Sequence, residues 1–226
     1  MKSNGLRIVK NSIATILVVL IFFFSFISLI NYSFNSMYIQ THVKGFSMQP
    51  TINLNATNPE VDGDKIYINK YSKISLNDIV VAKTSWHNDY IIKRVVATPG
   101  DKMYIEDEVN HFAIYVNDQL LYTKEKYGED FEKFKTGSYA NYNNYLKFLE
   151  NEEFAQYIKK ENELTYIQLG ENEYFLMGDN WGHTTDSLEK GPVKTNEIIG
   201  KVDLIIDVAN TNPFTSTLFF LKNLFS

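Results

Sequence analysis

Residues 13–30 read IATILVVLIFFFSFISLI, a run with no charged side chain. Its length matches the roughly 18 to 20 apolar residues that cross a bilayer as a helix. Beyond a polar stretch at 33–42, read as a short stalk that begins a strand, the pattern changes. Short apolar runs now alternate with turn residues, the signature of strands. Lys65-Ile66-Tyr67-Ile68, Asp78 to Ala82, Tyr90 to Val96, Lys102 to Ile105 and Ala113 to Val116 are expected strands. Asp62-Gly63-Asp64, Trp86 to Asp89 and Thr98-Pro99-Gly100-Asp101 are the expected turns between them.

Residues 124–162 are rich in Lys, Glu, Tyr, Asn and Phe and poor in β-branched residues. Tyr145, Leu146, Phe148, Leu149, Phe154, Tyr157 and Ile158 approximate a helical stripe, which predicts a partly helical inserted lobe. Strand patterns return at Thr165 to Leu169, Tyr174 to Met177 and Ile198 to Ile206. The tail from Pro213 to Ser226 contains Leu218-Phe219-Phe220-Leu221 and is too short to span a bilayer; docking on the core and lying on a membrane surface both fit it. The expected organisation is a cytoplasmic tip and anchor at 1–32, a first core part at 33–101, the inserted lobe at 102–172, and a second core part with the tail at 173–226. The expected fold class is mainly β.

Charge gives the apolar run a direction. Lys2, Arg7 and Lys10 precede it, and Lys44 is the only Lys or Arg between Asn31 and Asn58. The positive-inside rule then places the amino terminus in the cytoplasm and the rest outside. The alternative is a cleavable signal peptide, but that would have a shorter apolar core and small residues at a cut site. Here Asn31-Tyr32-Ser33-Phe34-Asn35 follows instead.

Composition removes several chemistries. Without cysteine there is no disulfide, thiolate metal ligand or thiol nucleophile. A net charge of −5 gives no basic footprint for nucleic acid. The four histidines show no metal-binding spacing, so no metal or other cofactor is expected.

Two residues then stand out. Ser47 lies in Gly45-Phe46-Ser47-Met48-Gln49-Pro50-Thr51, where Gly45 permits close backbone approach and Pro50 fixes the following chain. Lys93 lies in the apolar strand pattern Tyr90-Ile91-Ile92-Lys93-Arg94-Val95-Val96. Alternation sends Lys93 and Arg94 to opposite faces. A desolvated lysine loses its proton more readily and can serve as a base to a hydroxyl nucleophile, whereas arginine stays charged. Lys93 is therefore the expected base, and Arg94 the expected ion-pair partner of Asp179 or Asp186. A third segment, Met177-Gly178-Asp179-Asn180, is followed by Thr184, Asp186 and Ser187; the hydroxyls of Thr184 and Ser187 are candidates for orienting the lysine amine.

With Asn77-Asp78-Ile79-Val80-Val81, Lys93 to Asp101, and Gly178-Asp179-Asn180 with Asp186-Ser187 in order behind the serine segment, the chain resembles the type I signal peptidases (leader peptidases). The resemblance is to the single-anchor form found in Gram-positive bacteria. It implies two antiparallel sheet units with a variable insertion between the base and final segments. It also implies a membrane-bound serine endopeptidase acting on preproteins with signal peptides. Ser47 would be the nucleophile and Lys93 the general base, with the Ser47 N–H meeting the oxyanion. Gly45 stands where some members carry a serine, so a second oxyanion donor would come from elsewhere.

The final segment departs from the family pattern. Trp181 and Leu188 replace arginines, Thr184 replaces a serine and Ala97 a glycine. These changes motivate a second reading, a specialised or weakly active partner in surface-protein assembly. A third reading is a self-cleaving Ser-Lys regulator of the SOS-repressor kind. It would need a DNA-binding module, whereas this chain has an apolar anchor and an acidic balance.

Overall fold

The computed structural model describes residues 2–108, 111–122 and 142–209. The chain forms two compact units, Met1–Ile39 and Gln40–Ser226. The first is built on one helix, α1 (Lys2–Met37). Its 27 residues Asn11–Met37 are long and apolar enough to cross a membrane. At 1.5 Å per residue that stretch is about 40 Å long. Its Ile, Leu, Val and Phe side chains from Ile13 to Leu29 are exposed in the isolated chain.

The helix corrects the first half of the stalk reading of 33–42, and the strand it was expected to begin is present. Residues 33–37 continue α1, and Tyr38–His42 form β1. Polar side chains such as Asn31, Ser33 and Asn35 do not break a helix on their own, and no Gly or Pro occurs from Leu6 to Lys44.

The second unit holds most of two antiparallel sheets. The larger has the order β1–β2–β12–β3–β4–β10–β11, with β2 Lys65–Asn69, β3 Ile79–Ala82, β4 Ile91–Ala97, β10 Glu173–Met177, β11 Val193–Lys194 and β12 Ile198–Ile206. The smaller has the order β7–β6–β5–β9–β8, with β5 Lys102–Glu108, β6 His111–Val116, β7 Gln119–Tyr122, β8 Ile158–Glu161 and β9 Leu164–Gln168.

Patterning explains the larger sheet. β3 is buried at every residue: Ile79 and Val81 pack with Ile66 and Ile68 on one side, Val80 and Ala82 with Ile91, Val95 and Leu176 on the other. A strand covered on both faces reads as an unbroken apolar run, as Ile79-Val80-Val81-Ala82 does. The turn at Thr98–Asp101 forms as its residues predict. Gly100 takes φ +83°, and the Asp101 carboxylate accepts from the Thr98 N–H and hydroxyl, each at 2.7 Å.

Within the region expected to be partly helical, the described residues 142–162 are mostly helical and end in a strand. Residues 142–150 form a helix, α2, and Glu152–Tyr157 a 3-10 turn. Tyr145, Phe148 and Phe154 enter the core; the last two rings stack 4.4 Å apart and Phe148 meets Phe175 edge-on. The stripe does not run on as helix to Ile158, because Asn151 caps a new turn and Ile158 opens β8, paired with Ile167. The charge-rich 123–141 and the apolar tail lie outside the described residues.

Candidate active site

Ser47 is half-buried on the loop between β1 and β2, flanked by exposed Phe46 and buried Met48. Met48 and Ile52 sink into the core with Ile66 and Ile68, which anchors the loop beneath the serine. Gly45 takes φ +85°, a conformation that side-chain-bearing residues rarely adopt. Asn180 holds the loop from the end of β10. Its N–H donates to the Ser47 carbonyl at 3.0 Å and its Nδ2 to the Phe46 carbonyl at 3.1 Å. No acceptor meets the Ser47 N–H among the described residues.

Lys93 comes from the middle of β4 and is 4 % exposed. Its Nζ donates to Ser47 Oγ at 2.9 Å and to the Ile92 carbonyl at 3.0 Å. Burial lowers its pKa from 10.5 to about 8, against the opposing pull of the Asp186 and Asp179 carboxylates. The site thus joins a hydroxyl to an amine that is neutral in about a tenth of molecules at pH 7 and about half at pH 8.

Of the two aspartates, Asp179 pairs with Arg94. Arg94 Nε donates to Oδ1 at 2.8 Å and Nη2 to Oδ2 at 2.5 Å, a two-point contact. Thr51 Oγ1 donates to the same carboxylate at 2.5 Å, so the pair also grips the chain four residues beyond the serine.

Asp186 is buried and caps the short helix α3 (Ser187–Lys190). It accepts from the Leu188 N–H at 3.1 Å and the Gly178 N–H at 3.0 Å. Desolvation raises its pKa to about 6; the two backbone donors and Lys93 act the other way. Leu188, which stands where the family pattern has arginine, is buried in the same core cluster as Trp181.

The two downstream hydroxyls do not bond to Lys93. Ser187 Oγ accepts from the Leu176 N–H at 3.0 Å, tying α3 to β10. Thr184 Oγ1 is buried, makes no hydrogen bond of good geometry among the described residues, and lies against Gly178. Of the residues singled out from sequence, Ser47, Lys93, Gly45, Asp179 and Arg94 converge on one loop, and Thr184, Asp186 and Ser187 support it through the Gly178 turn. Sequence reasoning missed Asn53, Asp64, Thr51 and the side chain of Asn180. In the sequence Asp64 reads only as part of a turn.

A mainly β protein with one long apolar helix at its amino-terminal end and a buried amine on a loop hydroxyl is the class that fold and site define. The chain belongs to the family described as signal peptidase, peptidase S26, whose model matches residues 9–206. It is 28 % identical over 171 residues to signal peptidase I of Streptococcus pneumoniae (strain ATCC BAA-334 / TIGR4), covering 70 % of this chain and 77 % of that one. It is 26 % identical over 172 residues to signal peptidase I V of Bacillus subtilis (strain 168), covering 74 % and 85 %. Signal peptidase IB of Staphylococcus aureus (strain Mu50 / ATCC 700699) is 29 % identical over 164 residues, covering 71 % and 73 %. A crystal structure of a signal peptidase I from Enterococcus faecalis V583 has 20 % identity and a TM-score of 0.35, covering 57 % of this chain and 97 % of that chain.

Proposed function

We propose that this protein is a membrane-bound serine endopeptidase that removes signal peptides from exported preproteins, with Ser47 as nucleophile and Lys93 as general base. The observation that carries the reading is the 2.9 Å contact from a buried Lys93 Nζ to Ser47 Oγ. Family membership supports the peptidase class, and the relatives' printed names support signal peptides as substrates.

In the first step neutral Lys93 takes the Ser47 proton as Oγ attacks the scissile carbonyl. The tetrahedral oxyanion meets the Ser47 N–H, which has no acceptor among the described residues. Collapse gives an acyl-enzyme, and the lysine returns its proton to the departing amine. Lys93 then activates a water that attacks the ester, freeing the signal peptide and restoring Ser47. Asp179 and Arg94 hold the loop in register with β4, and Asp186 holds the Gly178 turn.

The test is cleavage of a preprotein carrying an A-x-A signal peptide, in detergent or lipid, by wild type, Ser47→Ala and Lys93→Ala. Cleavage by wild type alone is expected. Activity retained by either folded variant would exclude the pair as drawn.

A further inference from the structure

We propose that Asn53 and Asp64, buried and remote from the reacting atoms, are positioning residues that set the Ser47 loop. The inference rests on the reading of Ser47 as nucleophile. Asn53 is fully buried and Asp64 is 3 % exposed. A buried amide and a buried carboxylate each carry a desolvation cost unless their polar atoms are met. Here they meet one another and the two ends of the loop.

Asn53 Nδ2 donates to the carbonyls of Val43 at 3.2 Å and Gly45 at 2.9 Å, both upstream of Ser47. Its own carbonyl accepts from Gln49 Nε2 at 2.8 Å, downstream of the serine. Its Oδ1 accepts from the Asp64 N–H at 2.6 Å, and its N–H donates to Asp64 Oδ2 at 2.7 Å. One side chain thus closes the neck of the loop that carries Ser47. The closure is fixed to β2 through Asp64, which immediately precedes that strand.

Asp64 has a second hold. Its Oδ1 accepts from the Val208 N–H at 2.9 Å, just beyond β12, the strand next to β2. Asn53 sits at φ +64°, so glycine can replace it without backbone strain. Asn53→Gly therefore removes the side-chain bonds without straining the backbone.

The geometry places no atom of either residue against Lys93 or the Ser47 hydroxyl. Their effect should appear in where the serine sits, with the lysine's proton affinity untouched. Misplacing a reacting group by about 1 Å costs on the order of a hundredfold in rate.

The experiment uses the full chain in detergent and compares wild type, Ser47→Ala, Asn53→Gly, Asp64→Asn and a control, Asn55→Ala, whose exposed side chain donates to Asp207. Hydrogen exchange is followed at residues 44–52 and in β3, β4 and β10, and kcat and KM are measured on the A-x-A preprotein. For Asn53→Gly we expect exchange at 44–52 to speed at least tenfold while the strands are unchanged. Its kcat should fall about a hundredfold with KM within twofold and the pH midpoint unmoved. Asp64→Asn should act in the same direction, and supplies the test if Asn53→Gly does not fold; Asn55→Ala should match wild type. Unchanged exchange at 44–52, or a kcat within twofold of wild type, would overturn the proposal. So would faster exchange spread equally over the strands, which marks a merely structural role. If wild type is as inert as Ser47→Ala, the reading of the site fails, and the exchange measurement still decides this one.

Discussion

The burial that lowers the pKa of Lys93 also makes the residue a cost to the fold. With a pKa near 8 in the folded chain, the amine is about half neutral at pH 8, and its neutral fraction rises with pH below that. When proton transfer is rate-limiting, kcat/KM should therefore rise about fifty-fold between pH 6 and pH 8 and then level off. A flat profile measured on the chemical step would count against a lysine base. The same shift has a thermodynamic face. Below about pH 8 Lys93 is protonated in both folded and unfolded chains, so the folded chain bears the whole desolvation cost. Between pH 8 and 10.5 the folded chain releases the proton first, and the cost fades. Met fills similar space without charge. The stability advantage of Lys93→Met over wild type should shrink by roughly 3 kcal/mol from pH 7 to pH 10.5, at 1.36 kcal/mol per pKa unit. Denaturant unfolding at the two ends of that range reads it directly, and parallel curves would show that Lys93 is solvated.

Among the elements, the end of β10 decides how the loop sits. Gly178 packs so closely that a Cβ there would lie 2.3 Å from Thr184 Oγ1 and 2.6 Å from the Ser47 carbonyl oxygen. The second contact is to backbone and cannot swing away. Gly178→Ala should destabilise the chain by about 1–3 kcal/mol and lower kcat, because relief must come from moving the Ser47 loop or β10. Restoration by adding Thr184→Ala is expected to be incomplete, since the Ser47 carbonyl still blocks the Cβ; full recovery would place the conflict at Thr184 alone. This contact also marks the limit of what sequence revealed. Strands β2, β3, β4, β10 and β12 were readable because apolar runs bounded by turn residues have a local cause. So was the Ser47–Lys93 candidate pair, because each lies in a distinctive local pattern. The Asn53–Asp64 closure depends on two polar residues eleven positions apart that meet only when β2 is in place, and neither has a local signature. β7, β8 and β11 were missed for a related reason: they are short edge or near-edge strands whose polar residues, such as Lys159 and Lys160, dilute the alternation.

At the scale of the whole molecule, an outward-facing peptidase needs α1 to cross the membrane with its basic end retained inside. Lys2, Arg7 and Lys10 lie before the apolar stretch, and the positive-inside rule assigns that end to the cytoplasm. The absence of cysteine makes the topology directly measurable, because any thiol introduced is the only one present. Asn4→Cys tags the amino-terminal side, and Asn151→Cys tags the cap of the 3-10 turn beyond α2. In intact cells stripped of their walls, an impermeant maleimide should label Asn151→Cys fully and Asn4→Cys only after lysis. The protein should also stay with the membranes at alkaline pH, where peripheral proteins leave. Labelling in the opposite order would put Ser47 on the cytoplasmic face, where a translocated signal peptide could not reach it. Release of the intact chain into the soluble fraction would argue instead that α1 does not span the bilayer.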